Sequence, residues 1–144
     1  MAKGARVERG VIPEVAEAMA LSALLYTSEA YGIWRETIET APDKMFPPVL
    51  ERFRAGAQFS AADYAAGWRR LRVLRQVWAE KVAAYDAVIL PTAAIAPPQA
   101  ARLMTDQAYY VTENLLTLRN TRIANLFGLC AVTLQTGQPS CGIS

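Results

Sequence analysis

The amino-acid sequence predicts an α/β fold in which helices are in the majority. Alanine is abundant, and apolar residues recur at every third or fourth position over long stretches, which indicates amphipathic helices. Two short apolar runs, Ala87–Leu90 and Ala131–Leu134, contain β-branched residues and are followed by proline or glycine, which is typical of strands. The second run is apolar on both faces, as expected of a strand in the middle of a sheet covered by helices.

Composition restricts the classes of function that the chain can serve. Its 144 residues are the length of one domain, and its net charge of +2 gives little reason to expect nucleic-acid binding. There is no histidine, which excludes Ser-His-Asp and Cys-His mechanisms and any histidine-ligated metal. No phosphate-binding loop or CxxC motif is present, so we expect neither a cofactor nor a metal. The sequence shows neither a signal peptide nor an apolar run long enough to cross a membrane, so we expect a cytoplasmic protein. Its two cysteines are then expected to be free thiols, with Cys130 buried in its strand.

Three helices are expected in the first half of the chain. The first runs from Pro13 to Glu39, with a break near Gly32. A short helix from Pro48 to Ala55 is expected to end at Gly56 in a left-handed conformation. The third starts at a capping box of Ser60 and Asp63 and reaches about Ala84. Its helically spaced apolar residues predict a buried stripe of Tyr64, Trp68, Leu71, Leu74, Trp78, Val82 and Tyr85.

The third helix also carries a charged face. The members of this face are Arg69, Arg70, Arg72, Arg75 and Lys81. Such a face is usually solvated, but it can also form salt bridges to a neighbouring segment or bind a nucleic acid or another acidic partner. The sequence leaves these three interpretations open.

The second half contains the candidate binding residues. Pro91 cannot donate to a sheet, so pairing should weaken where the first strand ends, and a small-residue loop follows from Thr92 to Pro98. A helix is expected from about Thr112 to Leu126, with Gly128 as its left-handed end. It contains a polar cluster, Arg119–Thr121, which either ties loops together or contacts a substrate. The final residues, Gly142–Ser144, are expected to begin a further strand.

An ordered set of short motifs carries a resemblance to a known family. Asn125–Leu129, followed by a small-residue strand and Gly137, resembles the late strand region of the amidase signature family, and Asp86–Thr92 is similar to its segment of an aspartate, apolar residues, proline and threonine. Earlier matches are Pro42-Asp43, Phe46, Arg54-x-Gly56 and Ser60-Ala-x-Asp-Tyr64. The match is to the C-terminal portion of an amidase, closer to stand-alone amidases than to the A subunit of tRNA-dependent amidotransferases. The resemblance implies an α/β/α fold, of which residues 1–144 form one incomplete segment with two to three strands of a mixed sheet.

The resemblance also implies a chemistry. Amidases of this family cleave amide C–N bonds with a serine nucleophile, a second serine in a cis peptide and a lysine, and all three precede the matched region. No serine here has a base at motif spacing, so no catalytic residue is expected and the chain alone should be inactive. The loop that begins at Thr92 lies near the active-site cleft in the family. The substrate-pocket candidates are Thr92, Arg119, Asn120 and Thr121. The chain departs from the family at Cys130 and Gln135, where prolines are common.

These implications lead to expectations about partners. The missing N-terminal amidase portion is the expected partner, and an unpaired sheet edge makes self-association another expected outcome. The alternative is a small helical interaction domain that binds a partner through its apolar surface and has no catalytic activity. Neither a nucleic acid nor a membrane is expected to bind.

Overall fold

The computed structural model describes residues 4–139 and 141–144. Six α-helices lie in this part of the chain: α1 (Glu14–Thr40), α2 (Pro47–Arg54), α3 (Ala61–Val82), α4 (Ala100–Thr105), α5 (Gln107–Thr117) and α6 (Arg119–Phe127). Two 3-10 helices, Pro42–Lys44 and Ala55–Gln58, flank α2, and two strands follow α6: β1 (Leu134–Gln135) and β2 (Gly142–Ile143). The predicted majority of helices is therefore confirmed. Among the described residues, none of the helices combines the length and the apolar character that crossing a membrane requires.

The helix α1 is continuous over 27 residues, so the predicted break near Gly32 is wrong. An exposed glycine inside a helix costs about 1 kcal/mol relative to alanine, which the packing of a long helix can offset. The helix ends at Ala41, whose backbone has φ −145° and ψ 63°. This residue precedes Pro42, and a proline disfavours the helical conformation in the residue before it.

The hydrophobic core lies where α1, α3 and α6 meet. Its buried members are Ala18, Leu25, Leu71, Leu74, Trp78, Leu126 and Phe127. The predicted stripe of α3 is confirmed at its buried centre and in the partly buried Tyr64, Trp68 and Val82. It is wrong at Tyr85, which lies beyond the end of the helix and is 54% exposed. The capping box is confirmed: Asp63 N–H donates to the Ser60 hydroxyl at 3.0 Å, and the Asp63 carboxylate accepts from the Ser60 N–H.

Gly56 is not the left-handed helix end that the sequence predicts. It is buried in the second 3-10 helix, whose first residue directly follows α2. A β-carbon built on Gly56 would lie only 2.0 Å from the carbonyl oxygen of Thr27 in α1. The glycine is needed here because it lets the backbone approach α1 closely, and its left-handed conformational freedom is not used.

The charged face of α3 is partly paired and partly solvated. Arg70 donates to the Glu17 carboxylate at 2.6 Å and Lys81 donates to the Glu14 carboxylate at 2.7 Å, so ion pairs join α3 to α1. Arg75 is half-buried and points towards α6, whereas Arg69 and Arg72 are exposed. Simple solvation of the whole face is therefore wrong, and salt bridges to a neighbouring segment are confirmed for two of its members.

The sheet is small and antiparallel. Leu134 pairs with Ile143 and Gln135 with Gly142. On the other side of β2, Leu90 exchanges two backbone hydrogen bonds of 2.9 Å with Ser144. Pro91 forms a bridge opposite Ile143, at the position of an antiparallel pair that exchanges no hydrogen bonds. Its missing N–H therefore costs nothing, and the expected weakening at Pro91 is wrong.

The predicted strands differ from the observed ones. The run 87–89 forms no strand, and pairing starts only at Leu90. The expected buried central strand at 131–134 is also wrong: Val132 is 71% exposed and Leu134 is 65% exposed. Cys130 and Cys141 are free thiols, and both are exposed, so the predicted burial of Cys130 is wrong as well. The mixed sheet is replaced by antiparallel pairing because only six residues of sequence separate β1 from β2, whereas a parallel connection needs a dozen or more.

The helix predicted from Thr112 to Leu126 is divided into α5 and α6. The division falls at Leu118, where ψ is −3° and the following helix starts at Arg119. The helix α4, apart from its first residue, and the first residues of α5 lie in the region 101–110, whose secondary structure is ambiguous from the sequence. Gly128 has φ 68° and ψ 38°, which confirms it as the left-handed end of the last helix.

Gly56→Ala should lower the free energy of unfolding by about 3 kcal/mol, because the added methyl group meets backbone atoms that cannot rotate away. The matched control is Gly32→Ala, where no atom lies within 4 Å and where alanine should stabilise the helix by up to about 1 kcal/mol. Urea unfolding of both variants measures the two changes. A Gly56→Ala variant as stable as the parent would contradict the close packing.

The ion pairs between α1 and α3 should make stability depend on acid pH. The hydrogen bond from Arg70 is the main cause that lowers the pKa of Glu17, and the hydrogen bond from Lys81 does the same for Glu14. Because the folded pKa lies below the ordinary value of 4.5, the stabilisation is fully present above pH 4.5 and is lost as the pH falls through the folded pKa.

The measurement is the urea midpoint of the parent and of Glu17→Gln between pH 7 and pH 3. The midpoints should differ at pH 7 and converge at low pH, whereas Glu36→Gln, which removes a carboxylate without an ion pair in the described residues, should leave the profile unchanged. A difference in urea midpoint between the parent and Glu17→Gln that stays constant with pH would show that stability does not depend on the ionisation of Glu17.

Candidate functional site

A cavity of about 640 Å³ lies between the segment 86–92, the helix α6 and the segment 129–134. The sheet contributes Ile143 and Ser144 to its wall, and α3 contributes Trp78. Trp78 packs against Phe127 with ring centres 4.6 Å apart, which fixes the end of α6 against α3. The cavity is therefore built on the three-helix core on one side and on the small sheet on the other.

Three hydroxyl groups form a cluster in this wall. The Ser144 hydroxyl lies 2.8 Å from Thr92 Oγ1 and 2.9 Å from Thr133 Oγ1. Gly142 makes the cluster possible, because a β-carbon there would lie 2.9 Å from Thr92 Oγ1 and 3.1 Å from the Thr133 methyl group. Thr92 N–H also donates to the Gly142 carbonyl at 3.0 Å, so the backbone and the side chain of Thr92 are both held by β2.

The structure brings three of the four predicted pocket residues together. Thr92, Asn120 and Thr121 all line the cavity, whereas Arg119 does not contribute to the wall. Asn120 Nδ2 donates to the Pro91 carbonyl at 2.7 Å, so this side chain ties α6 to the residue before Thr92. Arg119 Nε lies 3.5 Å from Asn120 Oδ1, where it helps to orient the amide. The Thr121 hydroxyl donates to the Leu118 carbonyl at 3.3 Å, within its own polypeptide turn.

Sequence reasoning missed two members of the hydroxyl cluster, Thr133 and Ser144. Thr133 was assigned only to a strand, and Ser144 only to the beginning of another. The available signal is that a polar residue lies near the end of each short apolar run, Thr92 in one case and Thr133 in the other. The sequence does not show that β2 lies between the two runs and brings these residues together.

The cavity can bind and orient a polar group, but the hydrogen bonds of its described hydroxyls go to other hydroxyls or to a backbone carbonyl and not to a base. Its lining combines hydroxyl, amide and thiol groups with apolar side chains, and Asp86 carries the one formal charge among the described lining residues. Described groups with a shifted pKa lie elsewhere. A hydrogen bond from the Ser60 hydroxyl is the main cause lowering the pKa of Asp63, and the Tyr109 N–H does the same for Asp106. No cluster of three or more metal-ligating residues occurs within the described ranges.

A second cavity of about 610 Å³ lies on the other side of the segment 86–89. It is enclosed by residues 5–12 and by the end of α3. Tyr85 borders it, and its hydroxyl donates to the Glu8 carboxylate at 3.0 Å, which is the main cause that raises the pKa of Tyr85. The segment 86–89 thus lies between two cavities and packs closely against neither side.

The geometry defines a helix-rich segment in which α6 and the small sheet border a cavity. The family model Amidase matches residues 1–143, and the chain therefore belongs to the Amidase family. The resemblance found in the sequence is thereby confirmed. The chain is 32% identical over 139 residues to the 2-amino-5-chloromuconic acid deaminase of Comamonas testosteroni. The match covers 93% of this chain and 29% of that protein, so the chain spans less than a third of its relative's length. No solved structure matches the chain.

Asn120→Ala should loosen the contact between α6 and the small sheet. Without the amide donor, the Pro91 carbonyl loses its bond, and the neighbouring Thr92 N–H should exchange with solvent about fivefold faster, which corresponds to about 1 kcal/mol. Thr121→Ala is the control, because its hydroxyl bonds only within its own turn and its loss should leave Thr92 exchange unchanged. Hydrogen exchange followed by NMR distinguishes the two, and equal rates in the two variants would contradict the role of Asn120.

Proposed function

We propose that this chain forms one wall of the substrate cleft of an amidase-type hydrolase. In this proposal the enzyme cleaves an amide C–N bond, and its catalytic residues lie on polypeptide outside these 144 residues. The observation that carries the proposal is that Thr92, a candidate from the family resemblance, and Asn120 and Thr121, candidates from a polar cluster, line one cavity.

The cavity has the groups that an amide substrate needs. Hydroxyl and carboxamide groups can donate to a carbonyl oxygen and accept from an N–H. Asn120 is held by the Pro91 carbonyl, and Thr92 is held by Gly142 and Ser144. The apolar remainder of the wall, which includes Leu129 and Val132, suits the non-reacting part of a substrate. The relative is named as a deaminase of an amino-substituted acid, and release of nitrogen by C–N cleavage agrees with this class of reaction.

The proposed chemistry belongs to the missing part of the enzyme. The resemblance implies that a serine hydroxyl attacks the amide carbonyl carbon, that its proton passes through a second serine to a neutral lysine, and that the amine departs with a proton. Water then releases the acid from the acyl-enzyme. A desolvated lysine can act as the base at neutral pH, so histidine is not required. The contribution of this chain is to bind and orient the substrate.

The exposed apolar face supports a covering partner. Ile89, Val132 and Leu134 are each more than half exposed, although they lie beside one cavity. Burial of about 400 Å² of apolar surface would contribute on the order of 10 kcal/mol before ordering costs. We propose that the N-terminal portion of the amidase covers this face. A second copy of the chain is the alternative occupant that the experiment must distinguish.

A second candidate function is a helical interaction domain without catalytic activity. The observation that favours it is that α1, α3 and α6 form a core entirely within the chain. Such a domain would use the same exposed apolar face for a partner unrelated to amide hydrolysis.

Complementation tests the proposal. The chain alone, a family amidase that lacks the corresponding region, and the two combined are assayed for ammonia release from a panel of primary amides. We expect activity only in the combination. Thr92→Val and Asn120→Ala should lower kcat/KM by about tenfold, mainly through KM, because each removes a positioning hydrogen bond worth about 1.4 kcal/mol. The exposed Arg69→Gln is the matched control and should have no effect.

Two results would contradict the proposed function. Hydrolysis by the isolated chain would mean that its own residues are catalytic. A compact monomer with a sharp melt that never binds the amidase portion would favour the interaction domain. Sedimentation in the same samples separates a heterologous complex from self-association.

A further inference from the structure

Two half-buried arginines lie where α1, α3 and α6 meet, on a different side of α6 from the cavity lining. Arg122 of α6 donates through Nη1 to the Ser22 hydroxyl at 3.3 Å. Ser22 is only 6% exposed, and its hydroxyl donates to the Met19 carbonyl at 2.7 Å. Arg75 of α3 donates through Nε to the Leu126 carbonyl at 2.7 Å. Both guanidinium groups are therefore fixed at one end by bonds to buried or helix-terminal groups.

These arginines lack the acidic partners that five other cations of the described residues have. The ion pairs among the described residues are Arg6–Glu8, Arg54–Glu39, Arg70–Glu17, Lys81–Glu14 and Arg102–Asp106. Neither Arg75 nor Arg122 belongs to one within residues 4–139 and 141–144. A guanidinium has five N–H donors, and each of these two uses one of its nitrogens for a hydrogen bond within that part of the chain. The Arg75 guanidinium also lies over the Trp68 ring, 5.5 Å from its centre, which is a contact without a counter-ion. Half-buried charge without a counter-ion is unfavourable, so the junction is better suited to an anion than to water alone.

The two arginines meet at one junction because Arg122 and Leu126, whose carbonyl accepts from Arg75, lie one turn apart on α6. Burial is the main cause that raises the pKa of Tyr26, and the positive charges of Arg122 and Arg75 both act against this increase. Glu29 also faces Tyr26 and acts in the same direction as burial. Ser22, which accepts from Arg122, and Tyr26 are four residues apart, so the Tyr26 side chain lies on the same face of α1 as this junction.

We propose that Arg75, Arg122 and the Tyr26 hydroxyl form a carboxylate-binding site at this junction. The carboxylate is carried either by a small organic acid or by an acidic side chain of a protein segment that covers the junction. The site is separate from the cavity, because Ile123 and Ala124 of α6 line the cavity whereas Arg122 does not. The inference does not depend on the proposed amidase function.

The arrangement fits a carboxylate better than other anions. Two planar guanidinium groups match the two oxygens of a carboxylate, and Tyr26 adds a third donor. Glu29 contributes negative charge beside the site, which disfavours a doubly charged phosphate. Nucleic acid would require an extended row of cations, whereas this junction presents two.

The test is an NMR titration of the 144-residue chain with sodium acetate against sodium chloride at constant ionic strength. It follows the Nε–H signals of the arginines and the ring signals of Tyr26. A second arm uses a short peptide with glutamate side chains and a blocked C-terminus. We expect carboxylate-specific shifts at Arg75, Arg122 and Tyr26 that are absent with chloride. Saturation by acetate identifies a small-acid site, and a response to the peptide alone identifies a site for an acidic side chain.

Variants separate the site from general charge effects. Arg122→Gln should weaken binding about tenfold, which is about 1.4 kcal/mol, and Arg122→Lys should weaken it less because the charge remains without the forked geometry. Arg75 also contacts the end of α6, so Arg122 carries the test if Arg75→Gln disturbs the fold. The matched controls, Arg69→Gln and Arg72→Gln, change exposed arginines of α3 and should bind as the parent does. The proposal is overturned if neither acetate nor the peptide binds, if Arg69 and Arg72 respond as strongly, or if Arg122→Gln binds equally well.

Discussion

The close approach of α1 to its neighbours is the constraint on which the rest of the structure depends. Two glycines permit it. A β-carbon on Gly56 would meet the Thr27 backbone at 2.0 Å, and one on Gly67 of α3 would lie 2.9 Å from the Leu24 side chain. With α1 and α3 in contact, Leu25 and the apolar face of α3 are fully buried. The far end of α3 then presents Trp78 to Phe127, and this contact positions α6 and with it the cavity.

The contacts of the charged side chains also depend on how these helices pack. Between α1 and α3, carboxylates on one helix meet cations on the other, and the resulting pairs are exposed and individually weak. At the junction with α6 the pattern differs, because the cations there contact a hydroxyl and a backbone carbonyl and no carboxylate within the described part of the chain. The ion pairs between α1 and α3 help to align the two helices, whereas Arg75 and Arg122 keep guanidinium N–H groups that can bind an anion. The same residue type therefore has different roles, which are set by what the neighbouring helix presents.

The small sheet links the core to the binding wall. Its central strand, β2, bonds to β1 on one side and to Leu90 and Thr92 on the other, although these segments are about 50 residues apart in the chain. Asn120 then bonds to Pro91 and joins this sheet to α6. The apolar residues of β1 and of the segment before Pro91 remain exposed. The sheet and α6 are thus joined by polar contacts, while Val132 and Leu134 stay exposed.

The sequence by itself determined the helical majority, the third helix α3 with its cap, the end of α6 and the family. Helical periodicity, the capping box at Ser60 and the left-handed glycine at position 128 are local features, and neighbouring residues alone determine them. Three pocket candidates also came from local motifs. Tertiary structure decided the role of Gly56, the partners of Arg70 and Arg75, and the register that joins Thr92, Thr133 and Ser144. An alternating apolar pattern does not specify which strand will pair with it, because the partner lies far away in the chain. A glycine likewise does not reveal whether it serves a turn or a close contact, because the contacting residue is also distant in sequence.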